Sequence, residues 1–192
     1  MLLALKPQLI VNAAAHTAVD KAEAEPHIAQ TINATAVGVL ARHAASSKAL
    51  LLHYSTDYVF DGSGDTPREE DAATGPLSVY GRTKLEGEQL VRASGCAHLI
   101  LRTSWVYAAR GGNFARTMLK IANERDSLNV IDYQIGAPTG AELLADISVM
   151  WRCARSAHRP WAAPTTWWPT ATPAGLATRS TCSTGHARTA TR

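Results

Sequence analysis

No acidic residue occurs in the last 44 residues of this 192-residue chain, although the first 148 hold 16. The net charge of +3 therefore averages two unlike stretches. Residues 1–148 carry 13 Lys and Arg against those 16 acids, and residues 149–192 carry 6 Arg alone. A nucleic-acid partner needs a basic face on a folded element, and the surplus here belongs to a tail, so no nucleic acid is expected. No run approaches the roughly 18 apolar residues of a spanning helix, so no membrane partner is expected either. Apolar Met1–Leu5 meets Lys6-Pro7 at once, with no basic start and too short a stretch for a signal peptide. The three cysteines, Cys96, Cys153 and Cys182, are odd in number and lack metal spacing. They read as reduced thiols of a cytoplasmic protein with no metal site.

What is present is enough for one domain with a real core. Gln8–Asn12 is a short apolar run that reads as a buried strand, ending in Ala13, Ala14 and Ala15. Pro26 opens a helix to about Ala45, with Ile28, Ile32, Ala36 and Leu40 expected on its core-facing stripe. Leu50–Ser55 is the next strand. A loop rich in Gly, Asp and Pro covers 60–76, and a helix then runs to about Ala93. His98–Thr103 is a third strand. Gly111-Gly112-Asn113 opens a further helix, Leu128–Asp132 is a short strand, Gly136–Gly140 a turn, and another helix begins at Ala141. Strand and helix alternating at this spacing predict an α/β fold, a parallel sheet with crossover helices. All strand C-termini of such a sheet share one edge, where ligands bind. Ala15-His16-Thr17, Thr56-Asp57 and Ser104-Trp105 follow three of those ends.

Tyr80 and Lys84 lie four apart, on one face of the helix after the loop. An ammonium held near a phenol favours the phenolate, so Lys84 is expected to lower the Tyr80 pKa and make it a general acid or base. Alone, the spacing is weak evidence, and a solvated helix face is its plainer reading. Each neighbouring candidate also has a plainer reading. His16 could satisfy a strand-end carbonyl, Thr56 could be a cap or turn hydroxyl, and Trp105 could be core.

Five ordered stretches change the balance: Val11–Glu23, His53–Phe60, Val79–Lys84, Arg102–Tyr107 and Gly136–Gly140. In order and spacing they resemble the extended short-chain dehydrogenase/reductases, and within them the dTDP-4-dehydrorhamnose reductase family. The similarity covers about residues 6–148. It implies an NAD(P)-binding Rossmann domain and reduction of the C4 ketone of dTDP-4-dehydro-L-rhamnose to dTDP-L-rhamnose, with NADPH or NADH as cofactor. On the matching positions, Tyr80 donates the proton, Lys84 binds the nicotinamide ribose and tunes Tyr80, and Thr56 hydrogen-bonds the substrate oxygen. Asp57 and Trp105 fall at substrate positions. Ala15, His16, Thr17 and Tyr54 fall at cofactor positions beside Tyr80 and Lys84. The family allows a homodimer, and some members hold Mg²⁺, for which this sequence offers no support. Two other readings are another nucleotide-sugar reductase or epimerase, and a non-catalytic regulatory subunit on the same fold.

Two departures from the family stand out. Its opening strand and Gly-rich phosphate turn have no counterpart here, so the chain is expected to be a partial Rossmann domain, truncated at its N-terminus, that binds NADPH poorly and acts weakly or not at all alone. The similarity also stops near Ser148. Residues 151–192 hold four Trp but a single branched aliphatic residue, Leu176. A domain over 1–148 followed by an irregular, disordered tail over 149–192 is the expected organisation. The tail reads as an out-of-frame translation, because a GC-rich family-like coding strand read one base late spells Ala163-Pro164-Thr165-Thr166-Trp167-Trp168-Pro169-Thr170-Ala171.

Overall fold

The computed structural model describes residues 2–125, 127–130, 134, 136–156, 165–167 and 188–191. Most of the tail, with the frame-shifted reading of it, lies outside the described residues. The chain divides into two compact units, one built on residues 1–103 with 159–169 and the other on 104–158 with 170–192.

The first unit opens with a short helix α1 (Leu2–Leu5) and strand β1 (Leu9–Asn12). Helix α2 (Val19–Ala24) leads to a long helical run in three parts: α3 (Pro26–Gln30), a π-helical turn at Thr31–Thr35, and α4 (Ala36–Ser47). Pro26 supplies the preset first turn. Lys48 ends the run in the left-handed conformation, φ 58°, its N–H returned to the Ala44 and Ala45 carbonyls. Strand β2 (Leu50–Thr56), helix α5 (Val79–Ala93) and strand β3 (His98–Thr103) follow. The sheet is parallel in the order β1-β2-β3, with Thr165–Trp167 added beside β3. Asn12 pairs with His53 and Thr56 with Thr103, so the strand ends align as the α/β pattern requires. Ile10, Leu51 and Ile100 project toward α4 and α5 and meet Val37, Ala41, Ala44 and Val91 in the main core.

The expected stripe on the long helix is corrected. Ile28 and Ile32 are each more than a third exposed, while Ala29, Ala34, Val37, Ala41 and Ala44 are buried. A strict four-residue spacing winds about 40° per step around a 3.6-residue helix, so it cannot face one core for three turns. Small residues take the inner face because the helices approach closely. A Cβ on Gly87 of α5 would overlap the Asn33 carbonyl oxygen, and one on Gly81 would overlap that of Tyr58. Gly87→Ala is therefore expected to destabilise by about 1–3 kcal/mol, against a helix-propensity gain of about 1 kcal/mol. Urea unfolding followed by circular dichroism measures it. Gly112→Ala, with open space around it, is the neutral control; a more stable Gly87→Ala protein would contradict the close approach.

The start of α5 is fixed twice. Ser78 Oγ accepts from Gly81 N at 3.0 Å, and the Glu23 carboxylate of α2 accepts from Val79 N at 2.7 Å. A carboxylate at this end also complements the helix dipole.

The second unit holds β4 (Val106–Tyr107), α6 (Phe114–Glu124), β5 (Ser127–Val130), β6 (Thr139–Gly140) and α7 (Ala141–Ser156). Asn113 caps α6, its Oδ1 accepting from Arg116 N at 3.1 Å. β4 pairs in parallel with β6, and β5 antiparallel with Arg188–Thr191. Among the described residues no helix is long and apolar enough to cross a membrane.

Candidate active site

β2 and α5 bring the central residues together. Tyr80 is 8% exposed, and its hydroxyl hydrogen-bonds Thr56 at the end of β2. The Thr56 hydroxyl also donates to Asp57 Oδ1 at 3.0 Å and accepts from Tyr58 N at 3.2 Å. It thus caps the 3₁₀ turn Asp57–Val59, as its plainer reading held, and faces Tyr80 as well. The Thr56 proton goes to the Asp57 carboxylate, so toward the Tyr80 phenol its oxygen is left as an acceptor. The Tyr58 ring stands edge-on to that of Tyr80, centroids 5.5 Å apart at 74°.

Lys84, one turn further, is 2% exposed and donates to the Tyr54 carbonyl at 2.7 Å. Burial holds its pKa down to about 8, with Glu88 pulling in the opposite direction. The expected lowering of the Tyr80 pKa is corrected in its net direction, which is upward. Burial raises it, Asp57 and Tyr58 add to the rise, and the Thr56 hydrogen bond works against them. Tyr80 accordingly remains a protonated phenol at neutral pH.

Ala15 and His16 are half-buried and Thr17 is exposed, in the segment after β1. A residue the sequence reading missed anchors that segment. Asn33, fully buried in the π-helical turn, accepts from His16 N at 2.8 Å and donates to His16 O at 3.1 Å. It also donates to Thr83 Oγ1 at 3.1 Å, and Thr83 donates to the Tyr80 carbonyl at 3.0 Å. The His16 segment is so tied to the helix bearing Tyr80. The only hint in the sequence was a poor helix former in the middle of a helix, and such π-helical turns often mark functional sites.

His53 was missed in the same way. It is fully buried on the α5 side of β2, where Asn12 Nδ2 meets its Nδ1 at 3.0 Å. Burial first, then the Lys84 charge, push its pKa well below the ordinary value, so it is neutral. The amide donates and Nδ1 accepts, which puts the ring proton on Nε2.

Trp105 is described with the second unit. It is 45% exposed and adopts φ 45°, which sets aside the reading of a core tryptophan. The Gly136–Gly140 turn is built against it. A Cβ on Gly136 would overlap the Trp105 indole, and Thr139 N donates to the Trp105 carbonyl at 3.4 Å. Trp105, Tyr107, Phe114, Met118 and Pro138 line a cavity of about 750 Å³ in this unit. That volume and its largely apolar lining suit a small-molecule site.

The family described as the RmlD substrate binding domain matches residues 1–167. The chain belongs to that family. A dTDP-4-dehydrorhamnose reductase of Salmonella typhimurium is 61% identical over 142 residues, which cover 74% of this chain and 48% of that protein. The chain thus spans about half the length of the curated relatives it matches. Among solved structures, a dTDP-4-dehydrorhamnose reductase of Clostridium acetobutylicum superposes with TM-score 0.80 at 38% identity, covering 87% of this chain and 57% of that one. The Bacillus anthracis dTDP-4-dehydrorhamnose reductase in complex with NADP does so with TM-score 0.77 at 34% identity, with the same coverages. Membership of the RmlD substrate binding domain family and these Rossmann-like neighbours agree with the parallel sheet and its crossover helices.

Proposed function

We propose that the chain carries the proton-donating centre of an NAD(P)H-dependent reductase that converts the C4 ketone of dTDP-4-dehydro-L-rhamnose to the alcohol. The observation that carries this reading is the Tyr80 phenol, kept protonated by burial, with the Thr56 hydroxyl in front of it and the Lys84 ammonium one turn behind. The NADP held by the Bacillus anthracis neighbour supports the cofactor class.

The residues present fit a nicotinamide riboside. Ala13, Ala14 and Ala15 keep side-chain bulk off the end of β1, and His16 Nδ1 is buried with no hydrogen-bond partner. Lys84 has three protons to donate, and a ribose hydroxyl can take one that Tyr54 does not. Ala15, His16, Thr17, Tyr54 and Lys84 would hold the cofactor. When bound, it supplies the hydride to the ketone carbon.

Thr56 and Tyr80 orient the ketone oxygen by hydrogen bonds. As negative charge develops on that oxygen, Tyr80 gives up its proton, since an alkoxide is far more basic than a phenolate. The remaining phenolate is stabilised by the Thr56 hydroxyl and by the charge on Lys84. Asp57, beside Thr56, and Trp105, in the lining of the 750 Å³ cavity, are each assigned a substrate role in this reading.

A chimera tests it. The matching stretch of the Salmonella typhimurium reductase is replaced by residues 6–148 of this chain, and oxidation of NADPH is followed with dTDP-4-dehydro-L-rhamnose. Turnover within about tenfold of the parent is the expected result, since one decade corresponds to about 1.4 kcal/mol of transition-state stabilisation. A correctly folded chimera without turnover would overturn the reading. The rate should fall as pH rises through about 8, where Lys84 loses its charge.

A further inference from the structure

The stripe bearing Tyr80 and Lys84 continues one more turn to Glu88, which is fully buried. A buried carboxylate needs a partner, and Arg102 of β3 grips this one with both arms of its guanidinium. Nε meets Oε1 at 2.9 Å and Nη2 meets Oε2 at 2.7 Å. Arg92, on the same helix, reaches Oε2 at 3.3 Å from the solvent side. Arg102 is itself 2% exposed. Successive turns of α5 are thus fastened to neighbouring strands: Lys84 to the Tyr54 carbonyl of β2, and Glu88 to Arg102 of β3. In the sheet register Arg102 lies opposite Ser55, next to Tyr54, so the two attachments sit side by side.

We propose that Glu88 is a positioning residue of this centre: its carboxylate, fixed by Arg102 one turn beyond Lys84, acts on the Lys84 ammonium through its charge. The inference rests on the role of Lys84 proposed above. Facing Lys84 are Tyr80 and Glu88 from its own helix, and neutral His53 and the Tyr54 carbonyl from β2. Arg102 of β3 and Arg92 stand behind Glu88. Among the described residues Glu88 is the anion that pulls on the Lys84 proton, against the burial that drives it off. Its position at i+4 from the lysine repeats the spacing between Tyr80 and Lys84.

The sequence contains five lysines, few enough for each to be followed by NMR in protein labelled with ¹³Cε-lysine, the Lys84 signal being assigned with Lys84→Arg. In the unaltered chain Lys84 should titrate near 8. In Glu88→Gln its titration should fall by about one unit or more, because an opposite charge has been removed. At pH 7.5 that takes the ammonium fraction from about three quarters to about one quarter. Glu88→Asp retains the charge and should restore the titration to within about half of that shift. A purely structural role gives the opposite sign: loosening α5 would admit water and raise the Lys84 titration toward the ordinary lysine value of about 10.4. The double variant Glu88→Gln/Arg102→Met strands no buried charge of this pair, Arg92 being 40% exposed, and keeps the comparison open where the single variant fails to fold. It too should show a lowered Lys84 titration. An unchanged or raised value in the folded variants would overturn the proposal. The titration reads the coupling of Glu88 to Lys84 directly, so its failure is separate from a failure of the reductase reading, which the chimera tests by turnover.

Discussion

Arg102→Met is expected to cost about 3–5 kcal/mol of stability, the usual penalty for stranding one member of a buried ion pair. Glu88 is fully buried, and without the guanidinium its carboxylate keeps, among the described residues, the Arg92 side chain, which is 40% exposed. Water screens that remaining pair, and exposed pairs are worth little. Arg102 does more than pair with Glu88. Nη1 donates to the Glu70 carbonyl at 3.2 Å, and the guanidinium lies 5.0 Å from the centre of the Phe60 ring. These contacts pin the 60–76 loop, and losing them adds about 1 kcal/mol. The double variant Glu88→Gln/Arg102→Met should recover most of the loss, because two buried charges have been removed together. A double-mutant cycle by urea unfolding should therefore give a coupling of about 2 kcal/mol or more. Arg102→Lys should fall between, since an ammonium cannot make the fork. Additive single effects would mean that each group is satisfied without the other.

Much of this centre is legible in the sequence, and what is not has a common cause. Tyr80 and Lys84 are visible because a helix turns four-residue spacing into adjacency. Thr56 is visible because it ends an apolar run that can only be a strand. Glu88 and Arg102 lie 14 residues apart on consecutive elements, and nothing in spacing tells a buried charge from a surface one. Asn33 is hidden for the same reason: its partners, His16 and Thr83, lie 17 and 50 residues away. Ile28 and Ile32 mislead because apolar character alone does not decide which face of a helix is buried. Here Ala29, Ala34 and Ala41 hold the inner face because Gly87 brings α5 up against the backbone. The sign of the Tyr80 shift fails on a related point. Sequence supplies the neighbouring charge of Lys84 but not the desolvation of the phenol, and desolvation is the larger effect.

That last reversal shapes the prediction with the greatest effect on rate. In the chimera, Tyr80→Phe should lower kcat by about 10²–10⁴-fold, the range ascribed to a positioned general acid. The Tyr58 edge contact and the apolar packing of the ring survive the change, so KM for the sugar nucleotide should move little. A phenol raised above its ordinary pKa stays protonated at neutral pH, the form that ketone reduction requires. The reverse oxidation needs the phenolate, and should gain rate as pH rises until Lys84 discharges near 8. Asp57→Asn separates these effects. Asp57 raises the Tyr80 pKa, so removing its charge should bring the phenolate within reach at lower pH. The pH profile of oxidation should then shift down, while reduction at neutral pH changes only a few-fold, less than the decade that one pKa unit represents. If Tyr80→Phe instead kept a rate within a few-fold of its parent, the proton would come from water. Tyr80 would then be a wall of the site, and Thr56 the group that meets the oxygen.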